Sequence, residues 1–212
     1  MIVNLEKFIA EERPRWERLD AMLRKMAEDP WSQLPLAQAR ELELLYQRAS
    51  YVVAVGGTTL SLDSNGIASE VAWSGSGGGV SAYETKPTYQ SGWQSTTART
   101  VPDVSYNANP STGFPVYITN YNGSTGWITV GGTSAGSPQW AALQALVNSS
   151  RTSALSGVLT AIYGVAGSAY STSFYDITIG NNGGYTTTIS YDFVTGLGSP
   201  NAAALVPALI AK

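Results

Sequence analysis

The sequence predicts an α/β protein, a largely parallel sheet with flanking helices, preceded by an N-terminal helical hairpin. Two observations carry this. After residue 50, short runs rich in β-branched residues alternate with stretches of helical periodicity, the pattern of strands followed by covering helices. Before residue 50 the chain has a different character. That segment holds 17 of the 27 Asp, Glu, Lys and Arg residues and none of the 22 glycines. The chain therefore divides into a charged helical segment, 1–50, and a second domain, 51–212.

In the first segment Asn4 can cap a helix, because its side chain accepts a first-turn N–H. Leu5, Phe8, Ile9, Trp16, Leu19, Met22, Leu23 and Met26 follow at spacings that build one apolar stripe. Pro14 kinks this helix or marks its start, and Asp29-Pro30 breaks it. Pro35 suits the first turn of a second helix, whose inner face is Leu36, Ala39, Leu42, Leu45 and Tyr46. The pair reads either as a docking element or as an amphipathic hairpin folded on its neighbour. FIAEERPRWERLDAML followed by ELELLYQRAS resembles the soluble N-terminal segment of stage II sporulation protein M-like proteins.

In the second domain Tyr51–Val55 reads as a buried strand broken by Gly56-Gly57. Val101–Ser105, Val116–Thr119 and Trp127–Val130 read as further strands. Pro138–Asn148 is helical through Trp140, Leu143, Leu146 and Val147, and Leu155–Tyr163 and Ala202–Ile210 are further helices.

Composition narrows the chemistry. Cysteine and histidine are both absent, which excludes disulfides, thiol nucleophiles, a Ser-His-Asp triad and a Cys- or His-ligated metal. Proton transfer in acid must use carboxylates, and a bound metal must be a hard cation held by oxygens. The net charge of −3 comes without a basic patch, so no nucleic-acid partner is expected. No apolar run reaches membrane-spanning length, and no N-terminal stretch reads as a secretory signal.

The most informative string is GWITVGGTSAGSPQWAALQALVN, Gly126–Asn148: strand, glycine turn, Gly-Thr-Ser, helix. A serine at a helix N-terminus lies near unpaired N–H groups and the positive end of the helix dipole. Those N–H groups can also receive an oxyanion. Gly132 and Thr133 would line that site. From the residues alone, Ser134 is either a nucleophile or a helix cap.

This string resembles the serine motif of the sedolisins (serine-carboxyl peptidases) and, more remotely, of subtilisins. Other matches follow in family order: VVAVGGTTL (52–60), EVAWSGSGGGVSAYETKPTYQ (70–90), RTVPDVSYNANPSTGFPVY (99–117), FYDITIGNN (174–182) and YDFVTGLGSP (191–200). The resemblance covers nearly all of 51–212. It implies an incomplete subtilisin-like parallel sheet, a serine-type endopeptidase acting on polypeptides, Ser134 as nucleophile, and Gly77, Gly78 and Gly79 beside the substrate cleft. It also implies one calcium ion held by Asp176 and Asp192 with the carbonyls of Ile177, Thr188 and Ser190. Thr188 and Ser190 stand where the family has glycine, which strains the turn. Read without the family, Asp176 and Asp192 are turn or capping residues.

Sedolisins activate the serine with a Glu and an Asp on one helix and stabilise the oxyanion with a further Asp in a Ser-Gly-Asp-type motif. These lie upstream of the strand matching Tyr51–Val55, where this chain carries its charged helical segment, and Ser-Gly-Asp occurs nowhere. Glu11, Glu12 and Glu28 flank basic residues and read as solvated charge, Glu41 and Glu43 face different sides of a helix, and Asp103 reads as structural. Little or no peptidase activity is therefore expected of this chain alone. Three readings stand: a peptidase completed by a missing N-terminal half on another chain; a non-catalytic truncated or fused remnant or binding module; and an interaction protein docking through its helices. The resemblance implies an extracellular location, against the absence of a readable signal.

Overall fold

The computed structural model describes residues 53–212, apart from Asn65 and Asn122. The expected helical hairpin and the sporulation-protein resemblance lie outside the described residues. In chain order the elements are β1 Val55–Asp63, β2 Gly66–Ala72, β3 Gly79–Thr85, β4 Ala98–Val101, β5 Val104–Asn107, β6 Phe114–Tyr121 and β7 Ser124–Val130. They continue with α1 Thr133–Ser149, α2 Val158–Ser173, β8 Phe174–Tyr175, β9 Ser199–Pro200 and α3 Ala202–Ile210.

The run expected to stop at Gly56-Gly57 continues through both glycines as β1. These glycines allow close approach and do not break the strand. A Cβ on Gly56 would lie 2.5 Å from the Val194 carbonyl oxygen, and one on Gly57 would lie 2.9 Å from Ala108 Cβ. β1 is central in a three-stranded sheet ordered β2-β1-β5. It pairs parallel with β5, Val55 opposite Val104, and antiparallel with β2, Thr58 opposite Ala72. Among the described residues β1–β5 is the parallel pair, and β3–β4, β6–β7 and β8–β9 are antiparallel. The expected strand Val101–Ser105 is split, β4 ending at Val101 and β5 starting at Val104. Pro102 has no N–H for a ladder, and Asp103 N–H turns away to the Ala54 carbonyl at 2.8 Å.

Helix α1 packs against β1 and β5. Trp140 anchors it, buried, with its indole N–H on the Ser105 carbonyl at 3.1 Å. The apolar core lies between α1, α2 and α3, filled by Val147, Leu159, Ile162, Val165, Leu205 and Leu209. Helix α3 spans the residues expected from the sequence. Helix α2 begins at Val158, after Gly157 in the left-handed region at φ 66°, and not at Leu155.

Asp103 is fully buried and joins four parts of the fold. Its carboxylate receives both terminal guanidinium nitrogens of Arg99, at 3.1 and 2.9 Å, from β4. It also receives the Tyr163 hydroxyl of α2 at 3.1 Å and the Ala54 N–H before β1 at 2.9 Å. Its carbonyl accepts Leu197 N–H at 2.8 Å. Burial pulls the Arg99 guanidinium down, but the hydrogen bonds and charge of Asp103 outweigh it and hold it above its ordinary value. Burial, and then the Asp103 charge, push the Tyr163 phenol up. The sequence reading of Asp103 as structural agrees with this arrangement. Removing one partner of such a pair strands the other's charge. Asp103→Ala should therefore lose about 3–5 kcal/mol of stability, read as a lower urea midpoint.

Candidate active site and cation loop

Strand β7 delivers the chain into Gly131-Gly132 and then directly into α1. Helix α1 starts at Thr133, five residues earlier than the Pro138 expected, so Pro138 lies inside the helix. Because Pro138 has no N–H, the Ser134 carbonyl loses its usual helical partner. Gly131 is pressed on the backbone before it, where an added Cβ would lie 2.5 Å from Pro110 N. Gly132 is the N-cap residue, at φ 110°, and its N–H bonds the Ala108 carbonyl.

Ser134 is the second residue of the helix and is exposed. It is not at the N-cap position, and no side chain caps this helix. Its hydroxyl has no hydrogen-bond partner among the described residues. The hydroxyl sits close to Gly132, where an added Cβ would lie 3.2 Å from Ser134 Oγ. Thr133 turns its methyl inward, 3.4 Å from where a Cβ on Gly57 would be. The serine is thus presented on a first helical turn whose backbone N–H groups and dipole favour negative charge.

The carboxylates around the fold are engaged elsewhere. Glu70 accepts the Thr58 hydroxyl at 2.6 Å and the Ser199 hydroxyl at 2.7 Å. Glu84 pairs with Arg99 at 3.4 Å, and Asp103 pairs with the same guanidinium at 2.9 Å. Asp176 and Asp192 belong to the C-terminal loop. Among the described residues no carboxylate is hydrogen-bonded to Ser134. The clasp between Glu70, Thr58 and Ser199 was missed from sequence, since three residues so far apart carry no shared spacing.

The glycine-rich stretch 77–79 is tied to that loop. A Cβ on Gly78 would lie 1.7 Å from the Phe193 carbonyl oxygen, so this glycine is needed for backbone contact. Gly79 faces Tyr185, and Gly77 is open. Ser76 joins the stretch to β1 and to the loop. Its hydroxyl accepts Gly57 N–H at 2.8 Å and donates to the Val194 carbonyl at 3.1 Å. The stretch therefore reaches the serine turn through Gly57, and no hydrogen bond joins it to Ser134 among the described residues.

Asp176 and Asp192 both accept N–H groups from the 188–190 segment. Asp176 accepts the Tyr170 hydroxyl at 3.0 Å and Ser190 N–H at 2.9 Å. Asp192 is buried and accepts Val194 N–H and Thr195 N–H, each at 2.8 Å, the Thr195 hydroxyl at 3.2 Å, and Thr188 N–H at 3.2 Å. Burial pushes Asp192 up, and these hydrogen bonds oppose it. Burial also pushes the Tyr170 phenol up, and the charge and hydrogen bond of Asp176 and then the charge of Asp192 push the same way. Among the described residues no group of three or more acidic side chains forms. The donor set that the family likeness implies is these two carboxylates with the carbonyls of Ile177, Thr188 and Ser190; in the structure Thr188 and Ser190 meet the carboxylates through their N–H groups. An all-oxygen set of this kind fits a hard cation in its chemistry. Ser190 holds φ 70°, a left-handed conformation that favours glycine.

The chain is 36% identical over 170 residues to sedolisin of Pseudomonas sp. (strain 101). It is 34% identical over 171 residues to xanthomonalisin of Xanthomonas sp. (strain T-22) and 34% over 180 residues to kumamolisin of Bacillus sp. (strain MN-32).

The chain is a homologue of the sedolisins over about 70% of its length.

A solved structure of Pseudomonas sedolisin, a serine-carboxyl proteinase complexed with two molecules of pseudo-iodotyrostatin, matches with TM-score 0.62 at 33% identity. That match covers 76% of this chain and 46% of the sedolisin chain. The aligned regions take in 70%, 73% and 76% of this chain but 20%, 28% and 31% of xanthomonalisin, sedolisin and kumamolisin respectively. This chain thus spans less than a third of each relative's length. No family model matches it. Its partial sheet with three helices is that of its sedolisin neighbour. No helix among the described residues is long and apolar enough to cross a membrane.

The Gly132 backbone yields a direct expectation. Gly132→Ala forces a side chain into the left-handed region beside the Ser134 hydroxyl, and should cost roughly 1–3 kcal/mol, read as a lower melting temperature.

Proposed function

We propose that residues 53–212 are the serine-bearing part of a sedolisin-type serine-carboxyl peptidase acting on polypeptides, with Ser134 as nucleophile. On this reading the 212-residue chain alone hydrolyses little or nothing. One observation carries the proposal: the Ser134 hydroxyl is exposed on the first turn of α1 and bonded to no carboxylate among the described residues. Attack on a peptide carbonyl forms a bond from Ser134 Oγ to the carbonyl carbon while the hydroxyl proton leaves to a base. A serine without a positioned base is a weak nucleophile at its own pKa. Helix N–H groups at the first turn would stabilise the oxyanion, and this contribution survives when the base is missing. Full activity then requires carboxylates from outside the described residues. Export, as an extracellular enzyme working in acid, is part of the same reading and follows from the likeness to sedolisins.

Asp176 and Asp192, with the carbonyls of Ile177, Thr188 and Ser190, would hold one calcium ion. The ion would act as a structural cross-link between the end of β8 and the 188–192 loop, and no chemical step passes through it.

Two experiments follow. The 212-residue chain and Ser134→Ala are assayed for cleavage of denatured protein between about pH 3 and 5, with and without calcium. Neither is expected to cleave. Cleavage by the unaltered chain that Ser134→Ala loses would show that a carboxylate does reach the serine. Separately, calcium at about a hundred times its Kd should raise the melting temperature by roughly 5–10 °C. Asp192→Asn should abolish that rise. An unchanged melting temperature in the unaltered chain would refute the cation assignment.

A further inference from the structure

The two carboxylates of the proposed cation loop are held in different ways. Asp192 is fixed by its own turn, through Val194, Thr195 and Thr188. Asp176 follows the two-residue strand β8 and has two donors, Ser190 N–H on Oδ2 and the Tyr170 hydroxyl on Oδ1. Ser190 belongs to the loop that the cation itself would order, and it sits in a left-handed conformation. Tyr170 is thus the anchor of Asp176 that comes from a helix and not from the loop.

Its position has a cause in the sequence. Helix α2 departs from helical geometry at Ala169, at φ −151° and ψ 39°. Gly167-Ser168 stand just before this point, and Gly/Ser pairs are a recognised cause of kinks. The Ser168 hydroxyl bonds back to the Gly164 and Val165 carbonyls, each at 3.2 Å, which also bends helices. After the kink the Tyr170 ring is clamped, stacked on Phe174 with centroids 5.8 Å apart and tilted against Trp93 at 5.8 Å. Its hydroxyl is then presented to Asp176 by packed aromatic rings.

We infer that Tyr170 is a positioning residue for a divalent oxygen-ligated cation, its hydroxyl fixing the orientation of the Asp176 carboxylate before the ion arrives. The inference rests on the calcium reading above. A carboxylate already held in its liganding orientation loses less freedom on binding, and partners of this kind typically change metal affinity by about 10–100-fold. Tyr170 has no contact with the ion in this account and acts through Asp176.

The test uses the 212-residue chain and Tyr170→Phe, titrated calorimetrically with calcium chloride after removal of metal by chelator. Phe retains the ring that packs on Phe174 and Trp93, so the fold is kept. The expected result is a calcium Kd about tenfold weaker, with a melting temperature in chelator close to that of the unaltered chain. Tyr175→Phe, at the exposed tyrosine next to Asp176, should leave Kd unchanged. A purely structural role for Tyr170 would instead lower the melting temperature in chelator and leave the Kd of the folded protein as it was. A Tyr170→Phe Kd equal to that of the unaltered chain overturns the inference while the calcium site stands. Failure of the unaltered chain to bind calcium overturns the calcium site, and Tyr170's role with it.

Discussion

The buried carboxylate of Asp103 is the constraint on which the described fold depends. It sits where β4 has ended and β5 has not begun, and it takes hydrogen bonds from Arg99, Tyr163 and Ala54. A buried charge is tolerable when its lone pairs are all engaged by matched donors. Here those donors belong to β4, α2 and the segment leading into β1. The same residue's carbonyl holds Leu197, and Gly196 can sit against it because it has no side chain: a Cβ there would lie 2.3 Å from the Asp103 carbonyl carbon. The parallel pairing of β1 with β5 and the approach of the C-terminal loop meet at this point.

The serine turn hangs from this frame. Gly57 on β1 leaves room for Trp73, Ala108 and the Thr133 methyl, and its N–H is held by Ser76, which also binds the Val194 carbonyl. The serine turn and the 188–195 loop are therefore connected through one glycine and one serine hydroxyl.

Much of this was legible in the sequence where the signal is local. The α3 pattern of apolar residues after Asn201 gave its limits correctly, and the strand-glycine-serine-helix order around Ser134 was visible as a string. Errors arose where tertiary contact decides. Gly56-Gly57 looked like a breaker because close packing against Val194 and Ala108 has no trace in the local sequence. Val101–Ser105 looked continuous because Asp103 is turned aside by distant partners. Pro138 looked like a helix start, since the cost of a proline within a helix is set by what else holds that helix, here Trp140 on Ser105. Tyr170 carried a faint signal in the Gly167-Ser168 pair before it, whereas its partner Asp176 could be reached only through the kinked helix.

The central claim is that Ser134 is exposed on the first turn of α1 with no carboxylate bonded to its hydroxyl among the described residues. It is tested most directly by incubating the folded 212-residue chain with a serine-reactive fluorophosphonate and measuring the mass and site of any adduct. Because such probes need an activated hydroxyl, the account predicts no adduct on Ser134 beyond that formed on ordinary exposed serines. Stoichiometric modification of Ser134, absent when the chain is unfolded, would contradict it and would place an activating group beside the hydroxyl.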